Sequence, residues 1–443
     1  MATDPYSILL LSGGLIASLP LAYLSMRAAR KRRHIRDTPT SKTAGVFIGD
    51  VEVKGTAEID RALVSYLAER RCVHYEWSVA EHWRRTVVES YTDSKGNRRT
   101  RTRVESGWTT VASGGESRPF YVLDDTGHIL VRPEGMTVEG RTVFSLSCGP
   151  GHAFYYGRGP SGAIANSTFT RQFSETAVPL HEPVFVMGRA RQRADVVAAE
   201  IAHDRDARFS LVTLRSEDDV ARGYGTTGWV LGVVGLVVAT AGGVIGVAGE
   251  AQGDRGVLAL WGGMGVAGYL AALALLWAVM TFNALVALRE RVRRGWANID
   301  VELKRRADLI PNLAETVKGA RAHEADTQRL LALLRTQAAV DPAAVRDGRA
   351  TVEGIAPAVV ALAEAYPDLR AGANFLALQE ELTRTESRIA LARTYYNGMV
   401  KAFNARIAVV PDSMLARLGG LKPFAFFEAK GLEREAVVVD FAS

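Results

Sequence analysis

Residues 256–313 decide the fold of this chain, because an uncharged helical pattern passes there into an amphipathic one. The stretch begins with GVLALWGGMGVAGYLAALALLWAVMTFNALVAL (256–288) and continues with RERVRRGWANIDVELKRRADLIPNL (289–313). Its uncharged part is much longer than the roughly 20 residues that a helix needs to cross a bilayer. We therefore expect a membrane-crossing helix that extends into the cytoplasm and continues as the first helix of a bundle.

The extension of this helix carries the predicted assembly contacts. Tilt absorbs only a few residues, so the segment from about Thr281 to Leu288 should leave the bilayer. It would expose Phe282, Leu285, Val286 and Leu288 to water as an apolar patch. We expect this patch to be buried either against the β-rich region of the same chain or against the same segment of neighbouring subunits. The second alternative makes the protein a homo-oligomer.

Two further uncharged runs, 6–26 and 228–249, predict two more membrane helices. Together with 256–288 they give three transmembrane helices, with an external tip at 1–5 and an external turn at 250–255. The predicted fold class is accordingly a multi-domain integral membrane protein.

Glycines are frequent in the second and third runs, which predicts close helix packing. Gly242 and Gly246, which are also candidate assembly contacts, are four residues apart, and several glycines lie between Gly262 and Gly268 on the third run. Such spacing allows two helix backbones to approach closely. A pore is the alternative interpretation, but the runs hold no ionisable group, so packing of these two helices on each other is favoured.

Basic clusters set the predicted orientation. Arginines and a lysine follow the first run between Arg27 and Arg36, and four arginines follow the third run between Arg289 and Arg294. Because basic residues near span ends stay in the cytoplasm, the N-terminus should lie outside and both large regions inside. The expected location is the bacterial inner membrane.

Residues 45–215 predict a β-rich domain between a basic linker at 27–44 and a second linker at 216–227. Alternating strands flank the turn sequence at 94–97 and predict a long hairpin with a basic tip. Shorter strands are predicted at 46–53, 120–123, 129–131 and 184–188. A helix is predicted over Glu58 to Arg70, because Ile59, Leu63 and Leu67 keep a helical spacing.

The hairpin tip carries the predicted contact surface for anionic lipid headgroups or for a partner protein. A solvated hairpin face is the alternative reading and the favoured one. The residues of this basic cluster are Arg84, Arg85, Lys95, Arg98, Arg99, Arg101 and Arg103.

Several phrases of this region resemble the GIDE or "beside a membrane" (BAM) domain of mitochondrial outer-membrane ubiquitin ligases. They are 71–75 (RCVHY), 119–127 (PFYVLDDTG), 133–135 (PEG) and 182–188 (EPVFVMG). In those ligases the domain lies between two membrane spans, which implies a similar placement here. The ligases also carry a zinc-binding RING, which this sequence lacks, so the resemblance does not extend to ligase activity. Their domain is thought to face the intermembrane space, which is the alternative topology.

Residues 289–430 predict an antiparallel helical bundle, followed by a tail at 431–443. Apolar seams run from Trp296 to Ala320 and from Phe375 to Phe403, with shorter helices at 326–337 and 352–366 between them. Pro367 and Pro411 should end helices, and Pro311 should bend the first one.

This region resembles the LemA family. The phrases that carry the resemblance are NIDVELKRRADLIPNL (298–313), AYPDL (365–369), ARTYYN (392–397) and the closing PF-FFE group (423–428). The resemblance implies a membrane-anchored cytoplasmic bundle without established enzymatic activity. Acids Asp300, Glu302 and Asp308 stand beside Lys304, Arg305 and Arg306 in the first phrase, and ion pairs within the helix are expected there.

Composition excludes other classes of protein. Lys and Arg number 54 against 48 Asp and Glu, too small an excess for a nucleic-acid binder. The two cysteines, Cys72 and Cys148, exclude a disulfide framework and a Cys-rich zinc module. No nucleophile, base and orienting group converge in sequence, and the three GxGxxG matches lack the strand-turn-helix context of a nucleotide site.

We therefore expect no cofactor, no metal and no enzymatic activity. The predicted function is a non-enzymatic membrane scaffold or adaptor, self-associating, with membrane lipids and an unidentified protein as partners. The alternative is a component of a membrane-bound enzyme complex, related to a ligase or protease, whose catalytic site is not recognisable from sequence.

Overall fold

The computed structural model describes residues 5–92, 98–193, 198–204, 209–248, 255–320, 325–365 and 372–430. The chain divides into two compact units. One unit is Lys42–Ser216, and the other combines Met1–Ser41 with Glu217–Ser443.

The secondary structure changes from strands in the first unit to helices in the second. The strands are β1 (Thr40–Ser41), β2 (Gly49–Glu58), β3 (Leu63–Val64), β4 (Arg71–Thr92), β5 (Arg98–Ser117), β6 (Phe120–Asp124), β7 (Gly127–Arg132), β8 (Thr137–Glu139), β9 (Arg141–Cys148), β10 (Ser167–Pro179), β11 (Pro183–Gln192), β12 (Ala199–Ala202), β13 (Leu211–Thr213), β14 (Val352–Glu353) and β15 (Ala429–Lys430). The helices are α1 (Pro5–Arg36), α2 (Ala153–Gly157), α3 (Glu217–Ala248), α4 (Arg255–Ala320), α5 (Ala325–Ala338), α6 (Pro342–Arg346), α7 (Ala356–Ala365), α8 (Ala373–Ala408) and α9 (Asp412–Leu418).

Five strands of the β unit close into a ring. Strand β2 pairs with β6 and with β11, and the chain of pairings β6–β7–β12–β11 completes the circle. Alternate residues of these strands point inward and are buried, as the period of two in a strand requires. The enclosed core includes Val51, Val53, Phe120, Val122, Val131, Val184, Val186 and Ile201. The predicted strands at 120–123, 129–131 and 184–188 are thus confirmed within β6, β7 and β11.

A second sheet carries the long hairpin. Strand β10 pairs with β9 and β4, and β5 pairs with the other edge of β4. The β10 pairing ends at Trp83, whereas β4 and β5 remain paired as far as Thr92 and Arg98. Residues 84–92 and 98–106 therefore form a two-stranded ribbon, which confirms the predicted hairpin. Its turn at 93–97, including Lys95, lies outside the described residues.

The helix predicted over Glu58 to Arg70 is wrong. Strand β2 ends at Glu58, and Leu63 and Val64 form β3. Leu63 and Leu67 are both buried, but a turn held by a distant carboxylate places them there. The fully buried Glu175 accepts hydrogen bonds from the backbone amides of Leu67 and Ala68, at 2.9 and 2.7 Å. These long-range bonds satisfy amides that a helix would have paired locally.

Both predicted linkers beside the membrane runs are also wrong in part. Helix α1 continues to Arg36, so much of 27–44 is helical. Helix α3 begins at Glu217, so 216–227 belongs to the second apolar helix. Its first turn contains Glu217, Asp218 and Asp219, whose negative charges favour a helix N-terminus at that point.

Helix α4 is one continuous helix of 66 residues, and this confirms the predicted continuity between the uncharged run and the first bundle helix. Pro311 lies inside it. The bundle is antiparallel as expected: Trp296 contacts Tyr396 of α8, and Glu302 pairs with Arg388. Farther along, residues from α4, α5, α7 and α8 share one buried core, whose members include Leu313, Val317, Leu334, Val359, Phe375 and Leu382.

The third bundle helix starts later than predicted. Val352 and Glu353 form β14, which pairs in parallel with β15, and α7 begins at Ala356. The predicted end at Tyr366 and the stop at Pro367 lie outside the described residues. Helix α8 ends at Ala408, just before Pro411, and the short α9 that follows was not predicted.

Among the described residues, two helices are long and apolar enough to cross a membrane. They are Glu217–Gly242 and Arg255–Lys318, which correspond to the second and third predicted spans. Helix α1, the predicted first span, has 32 residues but is not one of these two. Residues 250–254 of the predicted external turn and 1–4 of the tip lie outside the described residues.

Candidate functional site

The first helix packs closely on α3, in opposite direction to it. A Cβ atom on Gly14 would lie 2.6 Å from the Cα of Gly242, so neither backbone could approach as closely with a side chain between them. Farther along, the Ser25 hydroxyl donates to the Gly228 carbonyl at 2.7 Å. The prediction that Gly242 faces the third helix is therefore wrong, because Gly242 packs on α1. The surroundings of Gly246 lie outside the described set.

Helices α3 and α4 also contact each other, through other residues. The Tyr269 hydroxyl donates to the carbonyl of Gly232 at 3.0 Å, and a Cβ on Gly235 would meet the same hydroxyl at 2.3 Å. A Cβ on Gly265 would lie 2.4 Å from the Ala239 carbonyl oxygen. Small residues thus place α3 against both other long helices, which is the packing that membrane helices use.

The four predicted assembly residues on α4 differ in burial. Leu285 and Leu288 are completely buried within the single chain, whereas Phe282 is 37% exposed and Val286 is half-buried. Helix α1 reaches this part of α4, because Arg33 is bonded to the Thr281 hydroxyl. Gly419, which follows α9, lies against the Phe282 ring. Leu285 and Leu288 therefore need no neighbouring subunit to cover them.

Arginines connect the end of α1 to α4 and α8 beside these leucines. Arg33 donates to the Thr281 hydroxyl at 2.7 Å, and Arg291 donates to the Thr38 hydroxyl at 2.9 Å. Arg406 of α8 donates to Asp37 at 2.8 Å and to Asp412 at 2.7 Å. We call these seven residues, from Arg33 to Asp412, the junction network.

Burial governs the electrostatics of the junction network. It raises the pKa of Asp37, and the nearby Arg406 opposes this shift only in part. Burial also lowers the pKa of Arg33, and the like charge of Arg406 lowers it further. Neither Asp37 nor Arg406 is fully solvated. Their ion pair therefore positions α1, α4 and α8 more firmly than an exposed ion pair would.

The basic cluster of the ribbon is divided between its two faces. Cross-strand partners share a face, and β5 places Arg103 opposite Val87, Arg101 opposite Glu89 and Arg99 opposite Tyr91. Arg85 lies on the same face and pairs with Glu105 at 2.7 Å. Arg84 and Arg98 point to the other face. The described arginines are all exposed, and acids stand among them, as expected of a solvated face.

A groove of about 530 Å³ opens on the polar face of the second sheet. Its floor crosses three strands with Ser113, Ser78 and Ser174 in register. His74 Nδ1 hydrogen-bonds to the Ser117 hydroxyl, and His74 Nε2 lies 3.8 Å from a Glu76 carboxylate oxygen. Burial lowers the pKa of His74, with Glu76 opposing that shift.

Ser117, His74 and Glu76 are arranged one after the other like the nucleophile, the base and the orienting group of a catalytic triad. Sequence inspection did not find them, because Ser117 is distant in the chain and is placed opposite His74 only by the β4–β5 register. The orienting contact is weak: Glu76 is 68% exposed and is beyond hydrogen-bond distance of the ring.

The LemA-like phrase contains a buried ion pair that joins five elements. Arg306 of α4 is 2% exposed and donates to Glu386 of α8 at 3.0 Å, to Gln337 of α5 and to the carbonyl of Glu353. Glu386 also accepts the backbone amide of Ala356 at 3.0 Å, at the start of α7.

The ion pairs expected within the first bundle helix are instead made between helices. Glu302 pairs with Arg388, Arg305 with Glu381 and Arg306 with Glu386, all across from α4 to α8. The sequence showed that these groups are charged and lie close together on one helix. It could not identify partners that lie far away in the sequence.

Metal-ligand chemistry has no candidate in the part of the chain that the structure describes, where no three His, Cys, Asp or Glu side chains cluster. Cys72 and Cys148 are free thiols, and burial raises the pKa of Cys72 to about 11. Thiolate chemistry is therefore disfavoured at Cys72.

Comparisons with known proteins match two separate regions of the chain, one that ends with α3 and one that begins within α4. Residues 295–441 match the LemA family, and residues 88–247 match a family named GIDE and described as E3 Ubiquitin ligase. Protein LemA of Metamycoplasma hominis is 23% identical over 155 residues, which cover 34% of this chain and 71% of that protein. The GIDE match begins within β4 and includes most of α3, whereas the resemblance was expected over 45–215. Both predicted resemblances are confirmed, and the chain joins a GIDE-like region to a LemA-like one.

Proposed function

We propose that the protein is a membrane-anchored, non-enzymatic scaffold that presents a β-rich unit and a helical bundle at the cytoplasmic face. The observation that carries this proposal is the continuity of α4, whose uncharged first half passes into the bundle without interruption. Because a helix is stiff along its axis, the bundle takes its position directly from a membrane-crossing segment. A bundle attached through a flexible linker would not.

Packing of α1 supports its role as a third membrane helix. It runs beside α3, with Gly14 against Gly242 and Ser25 bonded to Gly228. The buried Ser25 hydroxyl finds its acceptor on a neighbouring helix, which is one of the ways that membrane helices are held together. With three crossings and basic residues after the first and third, the N-terminus lies outside and both units lie inside.

Membrane extraction and thiol labelling test this proposal together. The full chain should stay in the membrane fraction after alkaline carbonate washing and should need detergent for release. Single cysteines at the exposed positions Thr100 and Ser387, in a chain without its native cysteines, should react with an impermeant reagent only after the cells are permeabilised. Release by carbonate would contradict the anchoring, and labelling of intact cells at both sites would reverse the orientation.

Self-association is part of the proposal, with Phe282 and Val286 as the contacts that the single chain leaves accessible. Phe282→Glu with Val286→Glu should reduce the number of subunits counted by single-molecule photobleaching in nanodiscs. Val301→Glu is the matched control, since Val301 is 65% exposed on the same helix. Equal subunit numbers in wild type and double variant would contradict these contacts.

A second candidate function, as part of a membrane-bound enzyme complex, is favoured by one observation. The Ser117 hydroxyl is bonded to His74 in an open groove, which is the first contact that an activated serine requires. A fluorophosphonate probe should then label Ser117 in the full chain, and His74→Gln should abolish labelling without unfolding the protein. Labelling that persists in Ser117→Ala would exclude this serine as the nucleophile.

A further inference from the structure

Helices α1 and α4 enclose a narrow cleft with a basic mouth. Its lining includes Met26, Arg30 and Arg33 from α1 and Trp277, Met280 and Thr281 from α4. Its volume is about 10 Å³, enough for one group the size of an oxygen atom or a water molecule. Larger parts of a ligand would have to remain outside, against the mouth.

Helices α1 and α3 change from apolar to polar at the level of this cleft, and the Trp277 to Met280 turn of α4 lies at the same level. Met26 is the last uncharged residue before Arg27 on α1, and Gly228 begins the uncharged run of α3 directly opposite Ser25. Leu15 of α1 lies against Gly268 of α4. Met26 lies as far along α1 from Leu15 as the turn of Trp277 to Met280 lies along α4 from Gly268. The two segments are therefore at the same level.

The lining of the cleft changes from apolar to basic along its length, as a phospholipid changes from acyl chains to an anionic headgroup. Met26, Met280 and Trp277 offer apolar and aromatic surface on the membrane side, and tryptophan is common at this depth. Arg30 and Arg33 offer guanidinium groups on the polar side, three residues apart on one helix face.

Arg30 and Arg33 differ in the contacts that they make. Arg33 is held at the cleft by its bond to Thr281 and faces the positive charge of Arg406. Arg30 is exposed at the mouth, and no carboxylate of the described residues forms an ion pair with it. An anion placed between the two would therefore add a counter-charge that the described protein does not supply to Arg30.

We propose that this cleft binds the phosphate of an anionic phospholipid. One phosphate oxygen enters beside Thr281 and Arg33, Arg30 covers the headgroup from the mouth, and the glycerol and acyl chains lie along Met26, Trp277 and Met280. The inference rests on the proposed membrane anchoring. Bidentate guanidinium geometry suits a phosphate, and basic pockets between membrane helices hold anionic headgroups elsewhere.

Native mass spectrometry of the full chain in detergent, titrated with phosphatidylglycerol or phosphatidylcholine, tests the proposal. Wild type should retain phosphatidylglycerol in preference to phosphatidylcholine. Arg30→Gln with Arg33→Gln should weaken that retention by about tenfold or more, on the scale of two basic residues near a lipid surface. Arg27→Gln with Arg36→Gln is the matched control, because it removes the same charge from exposed positions of the same helix that do not line the cleft.

Two further arms keep the result interpretable. Arg30→Gln alone changes an exposed side chain, so it should weaken retention while the melting temperature stays at the wild-type value. Inorganic phosphate in excess should not displace the lipid, since it lacks the apolar part; displacement would reassign the cleft to a free anion.

Equal retention of both lipids by wild type, or equal loss in the Arg27 and Arg36 variant, would overturn the proposal. Release of the chain by carbonate would instead contradict the membrane anchoring, so the two failures are distinguishable.

Discussion

Replacement of Glu386 by alanine should destabilise the helical bundle more than any exposed charge substitution on the same helix. Glu386 is 5% exposed and accepts bonds from Arg306 at 3.0 Å and from the backbone amides of Ile355 and Ala356 at 2.9 and 3.0 Å. Its removal leaves the guanidinium of Arg306 buried without its carboxylate and leaves the first amides of α7 without an acceptor.

The magnitude follows from these two losses. Breaking a buried ion pair by removing one partner costs about 3–5 kcal/mol, and loss of a helix N-terminal acceptor costs about 1 kcal/mol. Arg306 keeps its bonds to Gln337 and the Glu353 carbonyl, which favours the lower part of that range. We expect a loss of about 4 kcal/mol in the free energy of unfolding of the bundle.

Hydrogen exchange of the detergent-solubilised full chain measures this loss locally. Amides of Ala356–Ala365 should exchange faster in Glu386→Ala, by a factor on the order of a thousand where opening is in equilibrium. Glu380→Ala is the matched control, because its pair with Arg384 is 66% and 62% exposed and should be worth less than about 0.5 kcal/mol. Equal exchange in the two variants would refute the assignment of the buried pair as a stabilising contact.

Three other substitutions or conditions have definite expected outcomes. Gly14→Leu should lower the melting temperature of the solubilised protein because its Cβ would lie 2.6 Å from Gly242, whereas Gly13→Leu, with open space around it, should not. Burial lowers the pKa of His74, so the unfolded chain binds its proton more readily; stability should fall as pH drops below about 6.5, and His74→Gln should reduce that dependence. Cys72, fully buried with its pKa raised to about 11, should resist iodoacetamide at neutral pH until the β unit unfolds, as peptide mass spectrometry can show.

Helix periodicity predicted the helical unit well because its determinants are local. The α8 seam from Phe375 to Phe403 is buried at the expected positions, and α4 continues through residues that contain no strong stop. The errors occurred at the ends of elements. Arg36 still lies in α1 and Glu217 already lies in α3, since polarity marks where a helix leaves the apolar region and not where its backbone hydrogen bonds stop.

The β unit was less predictable because distant partners decide its conformation. The spacing of Leu63 and Leu67 fits a helix as well as a turn, and only Glu175, far along the chain, distinguishes the two. The pairing that closes the ring between β2 and β11 leaves no local signal either. The β4–β5 hairpin was predictable, since its strands are adjacent and joined by a turn sequence.

For the candidate site residues too, local features could be predicted from the sequence, whereas contacts with distant residues could not. The basic residues of the ribbon were visible in sequence, but their distribution over two faces depends on register. The burial of Leu285 and Leu288 was expected and is complete within the single chain, so self-association at this segment stays a prediction for the more exposed Phe282 and Val286. The cleft of Arg30 and Trp277 could not be inferred from sequence, since the two residues belong to helices separated by most of the chain.

The junction network explains how a single long helix can position a bundle. Helix α4 alone would fix the distance between the bundle and its own apolar half but would permit bending between them. Arg291 of α4 donates a hydrogen bond to Thr38, and Arg406 of α8 donates one to Asp37. These two bonds attach the residues that follow α1 to α4 and to α8 at separate points. Two lateral contacts and one continuous helix restrict bending about different axes. The long apolar helices and the bundle are therefore joined by Asp37, Thr38, Arg291 and Arg406, which all lie outside the apolar runs.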